Sequence, residues 1–537
     1  MDLTAGQLID ASAARAAAGE ARPRRGGGLT VAYQATLASL DPAITWEILD
    51  VAIIHAVFQG FFRYASAPGV DGTRLEPCLA VEVPTRSNGG VSPDGTTLTI
   101  RLRKGVRFQP PVEREVTAAD FKYSFERMMN PRVTPLAPAT YFYSDVAGAR
   151  EFAEGRADEI AGVELLDDHT VRISLTRPDP SFLDLLTLEF CDLVPRESVE
   201  HWGAEFSGHP VGTGPFMLEQ WGPREVNLVR NPLYWEDGRP YLDRLRYVLS
   251  SSPAMALHQL EAGQVDCLGN GVPPADVGGL RGDPTRRDQL RSAPLLAAVY
   301  LFLNTQMKPF DDVRVRQAVS WAVDREKLVR LQAGQGSPLF QVFPPGLPGH
   351  QPERRYYGHD PDRARGLLAE AGLPDGFSTS LYTDNVEPDP QLMRSVCDDL
   401  AAIGIKAELK ILTTASFAML QTTPRALPMG LYAWFMDFPD PVDWIAPLFT
   451  KSSTNAGVNS SFWTSDVLER MLDEARSLTD PHDRIARFVD MQDLVMSQAP
   501  YVSLYSMAKT TMCSPRVGGF YLHPVYDIDP TGFWEKP

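Results

Sequence analysis

From Pro294 onward, segments of helical period alternate with segments of strand period, and this alternation constrains the fold more than any other feature of the chain. Asp360 stands as an N-cap with Pro361 at the first helical position. Leu367, Leu368 and Ala371 share a face and Gly372 closes the segment, which predicts a helix marked at both ends. A second helix is predicted at 390–403, ended by Gly404. It leads directly into IKAELKI, where Ile405, Ala407, Leu409 and Ile411 alternate as they do in a strand. Helices are also predicted at 313–323, 324–331, 466–478 and 482–498, before an apolar strand at 501–507. Helices interleaved with strands in this manner build an α/β domain around a central sheet.

Between residues 29 and 192 the period is different. TLTIRLR puts Leu98, Ile100 and Leu102 on one face, and TVRISLT does the same with Val171, Ile173 and Leu175, which is the two-residue period of half-buried strands. A helix lies between them. Thr117 caps AADFKYSFERMM with Asp120 three residues on, Phe121, Phe125 and Met128 share a face, and Pro131 stops it. At 537 residues the chain exceeds what one hydrophobic core supports, so two or three domains are expected. The first 28 residues, rich in Ala, Arg and Gly, are expected to be a disordered leader.

Charge and missing motifs narrow the function. The net charge of -17 repels phosphate backbones, so no nucleic-acid partner is expected, and the short basic spots at 22–25 and 286–291 read as solvated faces. No window approaches ~18 uninterrupted apolar residues, so no membrane-spanning helix is expected. The leader has no apolar h-region, and no signal peptide is visible in this sequence. Five cysteines lie far apart with no C-x-x-C and read mostly as buried small hydrophobes. Nine scattered histidines show no ligand spacing, so neither a metal nor a cofactor is expected. The phosphate-cradling G-x-x-x-x-G-K-[ST] and the hydrolase patterns G-x-S-x-G, H-E-x-x-H and S-x-x-K are absent. No catalytic residue is assigned.

One stretch carries a positive signal. In LYAWFMDFPDP, at 431–441, an apolar strand-like run ends in an acidic, Pro-rich turn. Asp437 and Asp440 are therefore expected where a strand opens into a crevice, a point at which a carboxylate anchors a ligand's positive charge. A surface turn capped by Asp fits the same eleven residues.

Several phrases, taken in order, resemble a single family. They are LDPA at 40–43, LRKGVRF at 102–108, TAADFKYSFERMMNP at 117–131, HPVGTGPFMLEQW at 209–221, NPLYWEDGRPYLDRL at 231–245, NTQMKPFDDVRVRQAVSWAVDREKLV at 304–329 and DFPDP at 437–441. Together they are similar to the large solute-binding proteins of bacterial ABC importers for oligopeptides, dipeptides and nickel, known as family 5. Much of this is scaffold. Gly212, Gly214 and Pro215 are expected to make a tight turn into a strand, and Asp311 or Asp312 to cap a helix whose Val315, Val319 and Ala322 face a core.

The resemblance implies an α/β, two-lobed periplasmic-binding-protein-like clamp with an extra subdomain, enclosing ligand between its lobes. Lobe I would combine 29–60, 192–285 and 510–537, the subdomain would be 61–191 and lobe II 286–509, after the leader at 1–28. It further implies a non-enzymatic, monomeric, extracytoplasmic protein that delivers a peptide or other amine-bearing small solute to ABC permease subunits in the membrane. Asp437 falls where peptide-binding members carry the aspartate that pairs with a peptide's α-ammonium, and Trp434 and Phe435 fall on the strand lying against the peptide main chain. The loop holding Thr45, Trp46 and Ile48 falls against the same pocket, with Trp46 the side chain expected to reach it. Core packing accounts equally well for both tryptophans. The chain departs from the family at QPPVERE (109–115), which replaces the usual His-Asp-Gly turn, and in lacking a lipid-accepting cysteine. The competing expectation is an intracellular protein reusing this fold for catalysis or sensing.

Overall fold

The computed structural model describes residues 23–45, 47–132, 142–249, 251–333, 335–455 and 458–537. It divides into two compact units, the first formed by the chain up to Ala293 together with Thr510–Pro537, and the second by Pro294–Lys509. Of the expected leader, residues 1–22 lie outside the described residues. Its last residues are built into the first unit: the Gly26 N–H donates to the Tyr241 carbonyl at 2.8 Å, and a strand begins at Gly28.

The first unit carries a five-stranded mixed sheet in the order Cys267–Leu268, Gly28–Ala32, Arg244–Val248, Glu225–Arg230 and Phe216–Trp221. The helix Ile48–Val57 is apolar nearly all round, and a helix of that kind must be buried on most of its circumference. It is. Leu49, Ile53, Ile54 and Val57 pack with Leu29, Val31, Phe216, Val226 and Leu245 in one core.

Gly212 and Gly214 serve close approach and not a left-handed turn. A Cβ on Gly212 would fall 2.1 Å from the Val57 carbonyl oxygen, and one on Gly214 would fall 2.6 Å from that of Ala56. The Gly214 N–H donates to the Val57 carbonyl at 2.8 Å, closing the end of the helix onto the strand that follows. Gln109, the first residue of the unusual QPPVERE segment, is buried in the same junction. Its Nε2 donates to the carbonyls of Phe216 at 2.6 Å, Gly214 at 3.1 Å and Val57 at 3.2 Å. That segment therefore begins with a latch.

A three-stranded antiparallel sheet pairs Thr97–Arg101 with Thr170–Ser174, and the latter with Val163–Asp167. Leu98 faces Ile173 and Ile100 faces Val171, as the two-residue period requires. The Ala118–Met129 helix carries the predicted capping box from Thr117 and Asp120, and its Phe121, Phe125 and Met128 are fully buried. On the same helix Arg127 reaches Asp41 of the LDPA segment at 2.7 Å, both side chains buried. LDPA is thereby scaffold.

The second unit holds a six-stranded sheet in the order Gly336–Pro338, Tyr501–Met512, Leu290–Leu303, Met429–Phe435, Phe377–Asp384 and Ile405–Leu412. Helices Val313–Ala322, Arg325–Leu331, Pro361–Glu370, Asp389–Ala401, Asp466–Ser477 and Pro481–Gln498 accompany it, close to the predicted spans. Of the two candidate caps, Asp312 is the one used, accepting the Arg314 N–H at 2.9 Å. Asp360 accepts the Arg363 N–H at 2.9 Å and Gly372 takes a left-handed conformation just past the helix. The Ile405–Leu412 strand is an edge strand, so its apolar face is buried at Ile405 but 44% exposed at Ile411. Among the described residues no helix is long and apolar enough to cross a membrane.

The Gly212 contact sets a test of the fold. Gly212→Ala forces a methyl against a carbonyl oxygen and is expected to lose roughly 1–3 kcal/mol in urea denaturation, the scale of overpacking. Gly278→Ala, in the Pro274–Gly282 helix with open space around it, is expected to be neutral or slightly stabilising.

Candidate functional site

The Met429–Phe435 strand runs antiparallel to Leu290–Leu303, with Trp434 opposite Ala298 and Phe435 opposite Ala297. One ladder-like bond continues past its end, from the Met436 N–H to the Leu296 carbonyl at 3.1 Å. The chain then turns through 437–441 into a helix, Val442–Phe449, that strand-based reading of this stretch did not anticipate. Val442, Trp444, Ile445 and Leu448 of that helix are buried. In the middle of this apolar run stands Asp443, 1% exposed.

The three aspartates of the turn have different partners. Asp440 is matched internally: its carboxylate takes both guanidinium N–H groups of Arg484, at 2.6 and 2.8 Å, and accepts the Val442 N–H at 2.9 Å to cap the helix. Both side chains are buried, so Asp440 fastens the turn, contrary to its expected exposure to a crevice. Asp443 accepts the Asp437 N–H at 2.9 Å and the Trp434 indole N–H at 3.4 Å, both on Oδ2. Its Oδ1 is buried without a hydrogen-bond partner. The Asp437 side chain is half-buried, and its carboxyl neighbours that of Asp443.

Two carboxyl groups in contact cannot both hold a negative charge cheaply away from water. Burial pushes Asp437 up to about 7. Asp443 is raised well above the usual carboxylate range, first by burial and then by the neighbouring Asp437 charge, against the lowering effect of its bonds from Asp437 and Trp434. Among the described residues no Lys, Arg or His forms an ion pair with either group. The pair is an acid couple in which burial favours the protonated form.

The other expected positions fall as follows. Trp434 is half-buried and spends its indole N–H on Asp443, so it is a support for the acid couple as well as apolar wall. Phe435 is 45% exposed at the strand's end. Thr45 is 5% exposed and its hydroxyl donates to Asp50 at 2.8 Å, which also accepts the Ser39 N–H at 3.0 Å. That bond holds the hydroxyl to its own loop. Ile48 opens the Ile48–Val57 helix, and Trp46 lies outside the described residues.

Asp443 was missed by reading the sequence alone. The available signal was an acidic residue inside VDWI, where every neighbour is apolar.

A second polar enclosure lies in the first unit, a cavity of about 80 Å³ lined in part by His55, Gln59, Arg63, Asp192, Tyr234 and Asp529. Burial lowers His55 to about 4 and raises Asp192 well above the carboxylate range, in each case favouring the neutral form. Arg63 is paired with Glu236 at 2.6 Å. Nothing there calls for a charged ligand. Among the described residues no cluster of His, Cys, Asp or Glu could hold a metal ion.

The acid couple has a stability signature. Because Asp437 and Asp443 hold protons more tightly folded than unfolded, the folded state gains from them below about pH 4–7 and loses that gain as pH rises through the window. Asp443→Asn is therefore expected to raise the melting temperature by a few degrees at about pH 8, with the difference shrinking toward pH 4, as read by scanning calorimetry.

The profile of the bacterial extracellular solute-binding proteins, family 5 (Middle), matches residues 74–456. Heme-binding protein A of Haemophilus influenzae is 30% identical over 473 residues, which are 84% of this chain and 82% of that protein. Di/tripeptide-binding protein 2 of Pseudomonas aeruginosa is 28% identical over 533 residues, 95% of each chain. Among solved structures, the ABC transporter-associated periplasmic binding protein DppA from Helicobacter pylori, in complex with the peptide STSA, superposes with a TM-score of 0.81. It is 25% identical, and the match covers 96% of this chain and 99% of that one. The expected fold class, a periplasmic-binding-protein-like clamp, is borne out by this likeness.

Proposed function

The chain belongs to the bacterial extracellular solute-binding proteins of family 5, and from that premise we propose that it captures a short peptide, or another small solute bearing a primary ammonium group, at the Asp437–Asp443 acid couple. It is the solute-binding component of an ABC importer. The single observation that carries the solute class is a pair of carboxyl groups in contact, with no ion pair to a cation of the chain among the described residues. A ligand ammonium with three N–H donors meets both carboxyls by charge-assisted hydrogen bonds. Trp434 and Phe435, at the strand end just before Asp437, offer apolar area beside that anchor.

The relatives supply parallel support. One is named for di- and tripeptides and a structural neighbour was solved with a tetrapeptide, while the heme-binding relative widens the range of solutes the scaffold serves. We assign the protein to the extracytoplasmic side of the membrane, as a monomer with no enzymatic activity and no nucleic-acid partner, acting with permease subunits. The expectation of an intracellular protein reusing the fold finds no support among these relatives. Within the first unit we take 61–191 as the extra subdomain, since the three-stranded sheet and the Ala118–Met129 helix fall inside it. Lobe I is then 29–60, 192–285 and 510–537, and lobe II is 286–509.

Calorimetric titration with a library of di- and tripeptides, reduced glutathione and haem tests this reading. Peptides with a free amino terminus are expected to bind and their N-acetylated forms to fail. Asp437→Ala is expected to weaken binding by roughly 2–5 kcal/mol, the scale for stripping one partner from a buried charge pair. Unchanged affinity in that variant rejects Asp437 as the anchor, and selective binding of haem moves the solute class away from amines.

A further inference from the structure

We infer that the polar cavity of the first unit is a binding site for a cluster of ordered water, and that this water bridges the two stretches of chain from which the extra subdomain hangs. Gln59, Gly60, Phe62 and Arg63 line the cavity from the stretch that enters the subdomain, and Thr187 and Asp192 line it from the stretch that leaves. Direct bonds also tie the two stretches, from the Leu193 N–H to the Gln59 carbonyl at 3.1 Å and from the Tyr64 hydroxyl to the Asp184 carboxylate at 3.0 Å. The site itself depends neither on the bounds taken for the subdomain nor on the solute reading.

The cavity wall holds polar groups that the protein does not satisfy. Asp192 is 5% exposed, and its Oδ2 is buried without a hydrogen-bond partner. Arg63 pairs with Glu236 through Nη1 at 2.6 Å, while its Nε is buried without a partner. An acceptor and a donor left in that state forfeit the solvation they had in the unfolded chain. Water relieves both, because it donates to the one and accepts from the other. The hydroxyls of Tyr234 and Tyr526 line the same space. They accept from Gln59 Nε2 at 3.3 Å and from the Tyr64 N–H at 2.9 Å, and each retains a proton to give. His55, whose neutral form burial favours, adds one ring donor and one ring acceptor. The size agrees with the chemistry: about 80 Å³ is room for on the order of five waters at ~10–15 Å³ each. Each water needs two to four polar partners, and these five side chains supply them from distant parts of the chain. The guest is uncharged, since Arg63 already has its counter-charge in Glu236. An apolar guest would leave Asp192 Oδ2 and Arg63 Nε unsatisfied.

A high-resolution crystal structure of the full chain, with a second crystal pressurised with xenon, tests the site. Ordered waters are expected in the cavity, within hydrogen-bond distance of Asp192 Oδ2 and Arg63 Nε, and no xenon, which enters cavities that are dry and apolar. Xenon in the cavity, an absence of ordered water, or an ion or organic molecule in its place overturns the inference. Scanning calorimetry of Asp192→Leu gives a second readout. With Oδ2 hydrated, the variant gives up bonds to water, and its melting temperature is expected to stay level or fall by a few degrees. With Oδ2 dry and unpartnered, leucine removes an uncompensated acceptor, so a rise of a few degrees overturns the hydration of Asp192. Asp192→Asn, which keeps an oxygen at that position, is expected to retain the waters in its crystal structure, and their loss there overturns the role of that oxygen in holding them.

Discussion

The buried ion pair between Asp440 and Arg484 is the contact on which the acid site depends. The turn at 437–441 connects a strand to a helix whose axis must leave in a set direction, and two prolines alone do not fix that direction. The bidentate fork does: it binds the turn to the Pro481–Gln498 helix, and the same carboxylate caps the first helical N–H at Val442. With the helix start pinned, Asp443, the second residue of that helix, faces back to accept the N–H groups of Asp437 and Trp434. Loosening the fork would lose the register of the couple before it touched any group in the couple itself.

Three aspartates within seven residues thus take three roles, and residue type decides none of them. Asp440 has a cation and is a fastener. Asp443 has two N–H donors, too few to offset its burial, which raises it well above the usual carboxylate range. Asp437 is the one whose side chain is only half-buried.

The parts of this arrangement legible in the sequence were those with local signals. Thr117 with Asp120, Asp360 with Pro361, and the alternation of Leu98, Ile100 and Leu102 each announce their element through neighbours a few residues away, and the structure keeps them. The Val442–Phe449 helix announced itself poorly, because it starts within a Pro-rich turn and contains Pro447, so its pattern reads as loop. Asp443 was lost with it. Gly212 and Gly214 were recognisable as constrained but for the wrong cause, since the carbonyls that exclude a Cβ come from residues about 155 positions away in the chain, beyond any local signal. Gln109 is illegible for the same reason: its three acceptors belong to two distant segments. The assignment of Asp437 came from resemblance, since its eleven-residue context fits a plain turn equally well.

The treatment of the other buried charges shows what separates this site from scaffold. Arg325, which resides in the fully buried interior of the second unit, has its Nε and Nη1 directed to the carbonyls of Ser503, Leu339, Ser320 and Val323, and burial lowers it only to about 10. Arg316 is met by the carbonyls of Phe310, Asp311 and Gln498. Arg127 and Asp41 meet each other. In each of these cases the fold supplies an opposite charge or carbonyl dipoles from its own chain. Asp443 differs: it receives two N–H groups on Oδ2 and none on Oδ1, and among the described residues no basic side chain forms an ion pair with it or with Asp437.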